Sequence, residues 1–108
     1  MPSAQADNYL MRPEIARLVL LGPLPPAKDA TVEHLRQVEA LLHSVAKPVS
    51  NDEARALVRL FGPDDCFGLA WTFLHLVESA PGWPLLDCIG DSENEWIVSL
   101  RNRAARGK

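Results

Sequence analysis

The chain holds only two cysteines, Cys66 and Cys88, and aromatic residues make up just 6% of its 108 positions. Two thiols form no recognisable disulfide framework, so the fold has to stand on its apolar core, which a domain of this length can do. With aromatics scarce, that core is expected to be mostly Leu, Val and Ala. Long apolar runs are missing as well. The most apolar stretch, Phe67 to Val77, would cover about 16 Å as a helix at ~1.5 Å per residue, roughly half of what a bilayer requires. The first twelve residues are polar, and Leu18-Val19-Leu20-Leu21 is too short for a signal core. The reading is a cytoplasmic protein with reduced thiols and no membrane association.

The motifs of several chemistries are also absent. There is no Cys-x-x-Cys, His-x-x-x-His or Glu-x-x-His, so no metal is expected. No Gly-x-Gly-x-x-Gly, no Gly-x-x-x-x-Gly-Lys-Ser/Thr and no Gly-x-Ser-x-Gly occurs. Phosphate cradles, dinucleotide cofactors and a nucleophile elbow are therefore unsupported. Cys66 with His75, and His34 with His43, are nine positions apart in single expected helices. At ~100° and ~1.5 Å per residue each pair falls on opposite sides, about 13 Å apart along the axis, so neither is a dyad. Asp64 and Asp65 beside Cys66 favour its neutral thiol. The reading leans away from an enzyme, with no catalytic residue and no cofactor.

Positive charge is scarce over most of the chain. Residues 1–100 carry seven Lys and Arg against fourteen Asp and Glu, while Arg101, Arg103, Arg106 and Lys108 close the sequence. Such an acidic body disfavours nucleic acid, whose binding needs a cationic surface. It suits a basic protein partner.

What is present is helical. Apolar residues are 47% of the chain and charged ones 23%, ordinary for one globular domain. Residues 1–12 read as a flexible leader and 13–106 as a single helical domain. Pro13-Glu14 opens a short helix with Ile15, Leu18 and Val19 inward, stopped by Gly22-Pro23. Asp29 or Thr31 caps a second, in which Val32, Leu35, Val38, Leu41, Leu42 and Val45 recur at helical steps. Ser50 and Glu53 make a capping box for a third, with Ala54, Leu57, Val58 and Phe61 buried.

Asp64 or Asp65 is expected to cap a fourth helix over about 66–79, ended by Ala80-Pro81-Gly82. Being apolar on nearly every side, it reads as the surrounded hub, with Trp83 folded back as a plug. His75 in this helix reads as a half-buried histidine bonded to a carbonyl. A single turn follows at 85–90, then a last helix opened by a second box, Ser92 with Glu95, with Trp96, Ile97 and Leu100 inward. The sum is an all-α bundle of about five helices. The short Gly turn before the fourth helix resembles a helix-turn-helix, but a recognition helix must show polar groups to base edges, and this one shows leucines and tryptophan.

The stretch FGPDDCFGLAWTFLHLVESAPGWP, followed by NEWIVSLRNRA, resembles a recurrent pattern in small actinobacterial helical proteins and covers roughly residues 50–105. The resemblance carries no activity and assigns no catalytic residue. In size and acidity the chain is also similar in type to bacterial immunity proteins, without a motif in common.

Two functions are weighed. The first is a non-catalytic protein-binding module, an immunity or antitoxin-like inhibitor. Its contact residues would be Asp64, Asp65, Glu78, Trp83, Asp87, Asp91, Glu93 and Glu95, at helix ends on a rigid frame. Trp96 is a further candidate anchor. The second is a small-ligand protein or enzyme with a pocket lined by Cys66, Trp71, His75 and Trp83. A homodimer through exposed apolar residues of the first helix is compatible with either.

Overall fold

A computed structural model describes residues 11–90 and 92–106. They form an all-α fold of six α-helices and one 3-10 turn, with no strand among them.

The first helix, α1, runs Pro13–Leu21 with Pro at its start and Glu14 in its first turn. It buries Ile15 and Leu18, whereas Val19 is exposed, so its contact stripe is narrower than expected. The chain leaves at Gly22, whose φ of 87° belongs to the left-handed region that glycine enters without steric cost. A 3-10 turn at Ala27–Asp29 leads into α2, Val32–His43. Thr31 caps it by accepting from the His34 N–H at 3.1 Å, and Val38 and Leu42 are its buried residues. The most expected element is α3, Asn51–Val58: Ser50 Oγ accepts from the Glu53 N–H at 3.0 Å, and Glu53 Oε1 accepts from the Ser50 N–H at 2.8 Å.

The fourth helix differs from expectation. It is α4, Leu69–Glu78, and neither Asp64 nor Asp65 caps it. Cys66, Phe67 and Gly68 instead take φ values of 45°, 58° and 89°, a left-handed turn that no right-handed helix can contain. The Asp65 carbonyl closes the turn by accepting from the Gly68 and Ala70 N–H groups at 3.0 and 3.2 Å. A single turn, α5, Leu86–Ile89, precedes α6, Glu95–Arg106. The second expected capping box does not form. Asn94 takes the cap, its Oδ1 accepting from the Trp96 N–H at 2.8 Å, while Ser92 Oγ accepts from the Asn94 N–H.

The hub is shared. The principal neighbours of α4 are α2, α3 and α6, and those of α3 are α1, α4 and α5. Phe73, Leu74, Leu76 and Val77 of α4 are buried with Leu57 and Val58 of α3, Ile15 and Leu18 of α1, and Leu100 of α6. The described helices thus surround one core. Phe61 links its two sides, edge-on to Phe73 at 6.1 Å and stacked on Trp96 at 6.3 Å. The segment 51–64 is tied to both ends of the chain. Leu24 donates to the Leu60 carbonyl, Gly82 to Asn51 Oδ1, and Asn94 Nδ2 to the Gly62 carbonyl. Residues 1–10, most of the expected leader, lie outside the described residues. Arg12, its last but for that range, is anchored: it donates to Glu53 and to the carbonyls of Ala46 and Pro48.

Candidate functional site

The expected acidic contact residues divide into two groups. Three are occupied in holding the fold. Asp64 accepts from the Ala27 N–H at 3.1 Å and the Cys66 N–H at 2.9 Å, pinning the left-handed turn to the 3-10 turn. Glu78 on α4 is clasped by Arg103 on α6, and Asp87 pairs with Arg55 at 3.0 Å. Asp65, Glu93 and Glu95 are exposed and form no ion pair among the described residues. Asp91 lies outside the described residues. Trp83 is half-buried against the core, and Trp96, with 7% of its surface exposed and its indole N–H on the Asp64 carbonyl at 3.1 Å, is a core residue and no anchor.

The residues of the alternative pocket differ in their exposure. Cys66 is fully buried, Trp83 half-buried, and Trp71 and His75 are exposed on α4. His75 is not the half-buried residue expected. It sits one turn from Trp71, ring centroids 6.3 Å apart. Burial pushes the Cys66 thiol up from its ordinary range, and Asp64 and Asp65 push it further. For Cys88 burial acts first and Asp87 adds to it. Both groups are therefore held as thiols, not as the thiolates that attack or ligate. No group of three or more His, Cys, Asp or Glu able to hold a metal is found among the described residues. No buried side-chain polar atom among them lacks a hydrogen-bond partner.

Sequence reasoning missed the exposure of Phe67 and Trp71. Phe67 is 69% exposed and Trp71 46%, although both were expected in the hub. The left-handed turn is the cause: it carries Phe67 off the path of the helix and starts α4 three residues late. Trp71 rests edge-on upon Trp96, 5.1 Å between centroids. It then forms one wall of a groove of about 230 Å3 whose other wall is α6: Ser99, Asn102, Arg103 and Arg106. Gly68 directly after Phe67 was the available signal, since glycine is the residue suited to a positive φ. A second, more apolar groove of about 400 Å3 lies between α1 and α2, bordered by Leu20, Leu21 and Leu41.

Phe67 and Trp71 are thus two large aromatic side chains in solvent, the second packed on the buried Trp96. No helix among the described residues is long and apolar enough to cross a membrane. Comparison with protein-family models, curated proteins and solved structures finds no match.

Proposed function

We propose that this chain is a non-catalytic protein-binding module that docks a basic protein partner, in the manner of an immunity or antitoxin-like inhibitor. The observation that carries the reading is Phe67. A bulky residue at positive φ is a genuine outlier, and such strain, of order 1–3 kcal/mol, concentrates where a surface has work to do. Here the strain leaves an aromatic ring in solvent, four positions before the exposed Trp71. Asp65 follows Asp64, whose carbonyl receives the Trp96 indole, and Glu93 and Glu95 flank the start of the same helix. These three exposed acids are the groups that would steer a basic partner. The contact set thus contracts from eight residues to Asp65, Phe67, Trp71, Glu93 and Glu95.

The test is affinity capture with tagged wild type and Phe67→Ser, at low and at high salt. A basic protein retained stoichiometrically at low salt, and lost both at high salt and by Phe67→Ser, is the expected result. Retention unaffected by Phe67→Ser overturns the reading. The homodimer is a second reading, favoured by Leu20, 84% exposed at the edge of the α1–α2 groove. A two-fold axis there would seat each Leu20 in the other copy's groove. A sedimentation coefficient that stays that of a monomer at millimolar concentration removes it.

A further inference from the structure

The α6 face that borders the groove beside Trp71 has two ends of opposite sign. On α6, Glu95, Ser99, Asn102 and Arg106 recur at steps of four, three and four and so lie along one helix face. Ser99, Asn102 and Arg106 of this face line the groove. Glu95 stands at its amino end, next to Trp96, the residue on which Trp71 rests. Arg103 also lines the groove, but its guanidinium is held by Glu78 in a two-point clasp. Arg106 and Glu95 are both exposed and engage in no ion pair among the described residues. The face therefore presents a carboxylate at one end, an aromatic plane alongside its middle and a guanidinium at the other end.

We propose that the groove takes an extended protein segment with a basic residue for Glu95, an apolar side chain for Trp71 and a carboxylate for Arg106. This deepens, and rests on, the reading that the Phe67–Trp71 surface binds protein. The spacing follows from the helix. Eleven residues at ~1.5 Å each separate Glu95 from Arg106 by about 16 Å. An extended strand covers that in about five residues at ~3.3 Å each. The charges of the segment are thus five positions apart, with the apolar residue between them. A nucleic acid fits less well, because one unpaired guanidinium beside three exposed carboxylates supplies no cationic track.

The test uses the full chain and four probes: the capped peptides Lys-Ser-Ser-Leu-Ser-Asp, Lys-Ser-Ser-Leu-Ser-Lys and Asp-Ser-Ser-Leu-Ser-Asp, and a ten-nucleotide oligouridine. Binding is followed by the NMR shift of the Trp71 indole, with the Trp83 indole as internal reference. The Lys…Asp peptide is expected to bind roughly three- to tenfold more tightly than either like-charged peptide, as two exposed ion pairs allow. Arg106→Glu should move the preference to Lys…Lys, and Glu95→Arg to Asp…Asp. A rank order identical in wild type and both variants, or oligouridine binding more tightly than every peptide, overturns the proposal. If the rank order is unchanged while Phe67→Ser still abolishes partner capture, this inference falls alone. If Phe67→Ser is also neutral, the reading beneath it falls too.

Discussion

Arg12 and Glu53, 41 residues apart in sequence, are joined by a two-point clasp: Arg12 Nε donates to Oε2 at 3.0 Å and Nη2 to Oε1 at 2.9 Å. The backbone N–H of Arg12 adds a third bond to Oε2 at 2.8 Å. Glu53 is only 2% exposed. Burial alone would push its carboxyl up. The hydrogen bonds from the Arg12 guanidinium, the Ser50 N–H and the Arg12 N–H outweigh that, aided by the charge of Arg12, and hold it at about 2 against an ordinary 4.5.

A carboxyl depressed on folding stabilises the native state fully above its unfolded value and loses that contribution as pH falls through the folded one. The window here is from about 4.5 down to about 2, and the contribution at stake is about 3 kcal/mol. Urea unfolding of wild type should weaken by that much over the window, while Glu53→Gln shows a much flatter profile. Equal slopes would refute the clasp. At pH 7, Arg12→Ala should cost about 3 kcal/mol, because it strands a buried charge. Arg12→Lys should restore only part of this, since an ammonium does not reproduce the planar fork.

The two thiols should differ in reach and agree in sluggishness. Cys66 is fully buried and Cys88 half-buried, its Sγ 3.3 Å from the Leu85 carbonyl. With a chromogenic disulfide at pH 8, Cys88 should react first. Cys66 should react roughly a hundredfold faster in denaturant than in the native protein, because both access and thiolate are withheld. Rapid native labelling of Cys66 would mean the left-handed turn is open.

Gly62 is fixed by proximity, not by its torsion. A Cβ there would stand 2.1 Å from the Leu24 carbonyl oxygen and 2.9 Å from its carbon. Both are backbone atoms of the connection tied to Leu60, so no side chain can swing aside. Gly62→Ala should lower stability by about 2 kcal/mol or more, a fall of roughly 10 °C in Tm. An unchanged melting curve would show that the Leu24 crossing is loose.

At Phe67, stability and binding should oppose each other. Asn tolerates the left-handed region better than an aromatic residue does, and little packing is lost from a ring already in solvent. Phe67→Asn should stabilise the chain by about 1 kcal/mol in thermal or urea unfolding, while weakening partner capture. A destabilised Phe67→Asn would indicate that the ring packs on its own surface instead of serving another.

The parts legible in the sequence are those decided locally. Thr31 and the Ser50–Glu53 box cap the helices they were expected to cap, because a cap is an interaction over three residues. The start of α4 was misread since Asp64 has the right chemistry for a cap, yet its carboxylate serves Ala27, 37 residues earlier. Asn94 displaced Ser92 for a smaller reason: both suit a cap, and the asparagine lies next to the first helical residue. Trp96 was placed inward by the periodicity of α6, whereas Trp71 could not be placed, because α4 is apolar almost all round. Of the eight contact residues first named, Asp65, Glu93 and Glu95 remain in the surface argued above. The aromatic pair at its centre depended on the left-handed turn at 66–68.

The ties converging on residues 51–64 impose an order on synthesis. Arg12, Leu24 and Ala27 each depend on an acceptor 36 to 41 residues later, at Glu53, Leu60 and Asp64. At a ribosomal rate of about 5–20 residues per second, 41 residues take roughly 2–8 s. For that interval α1 has its packing against α2 without the bonds to Glu53, Leu60 and Asp64. The bonds that fix Arg12, Leu24 and Ala27 therefore cannot form until the middle of the chain has been made.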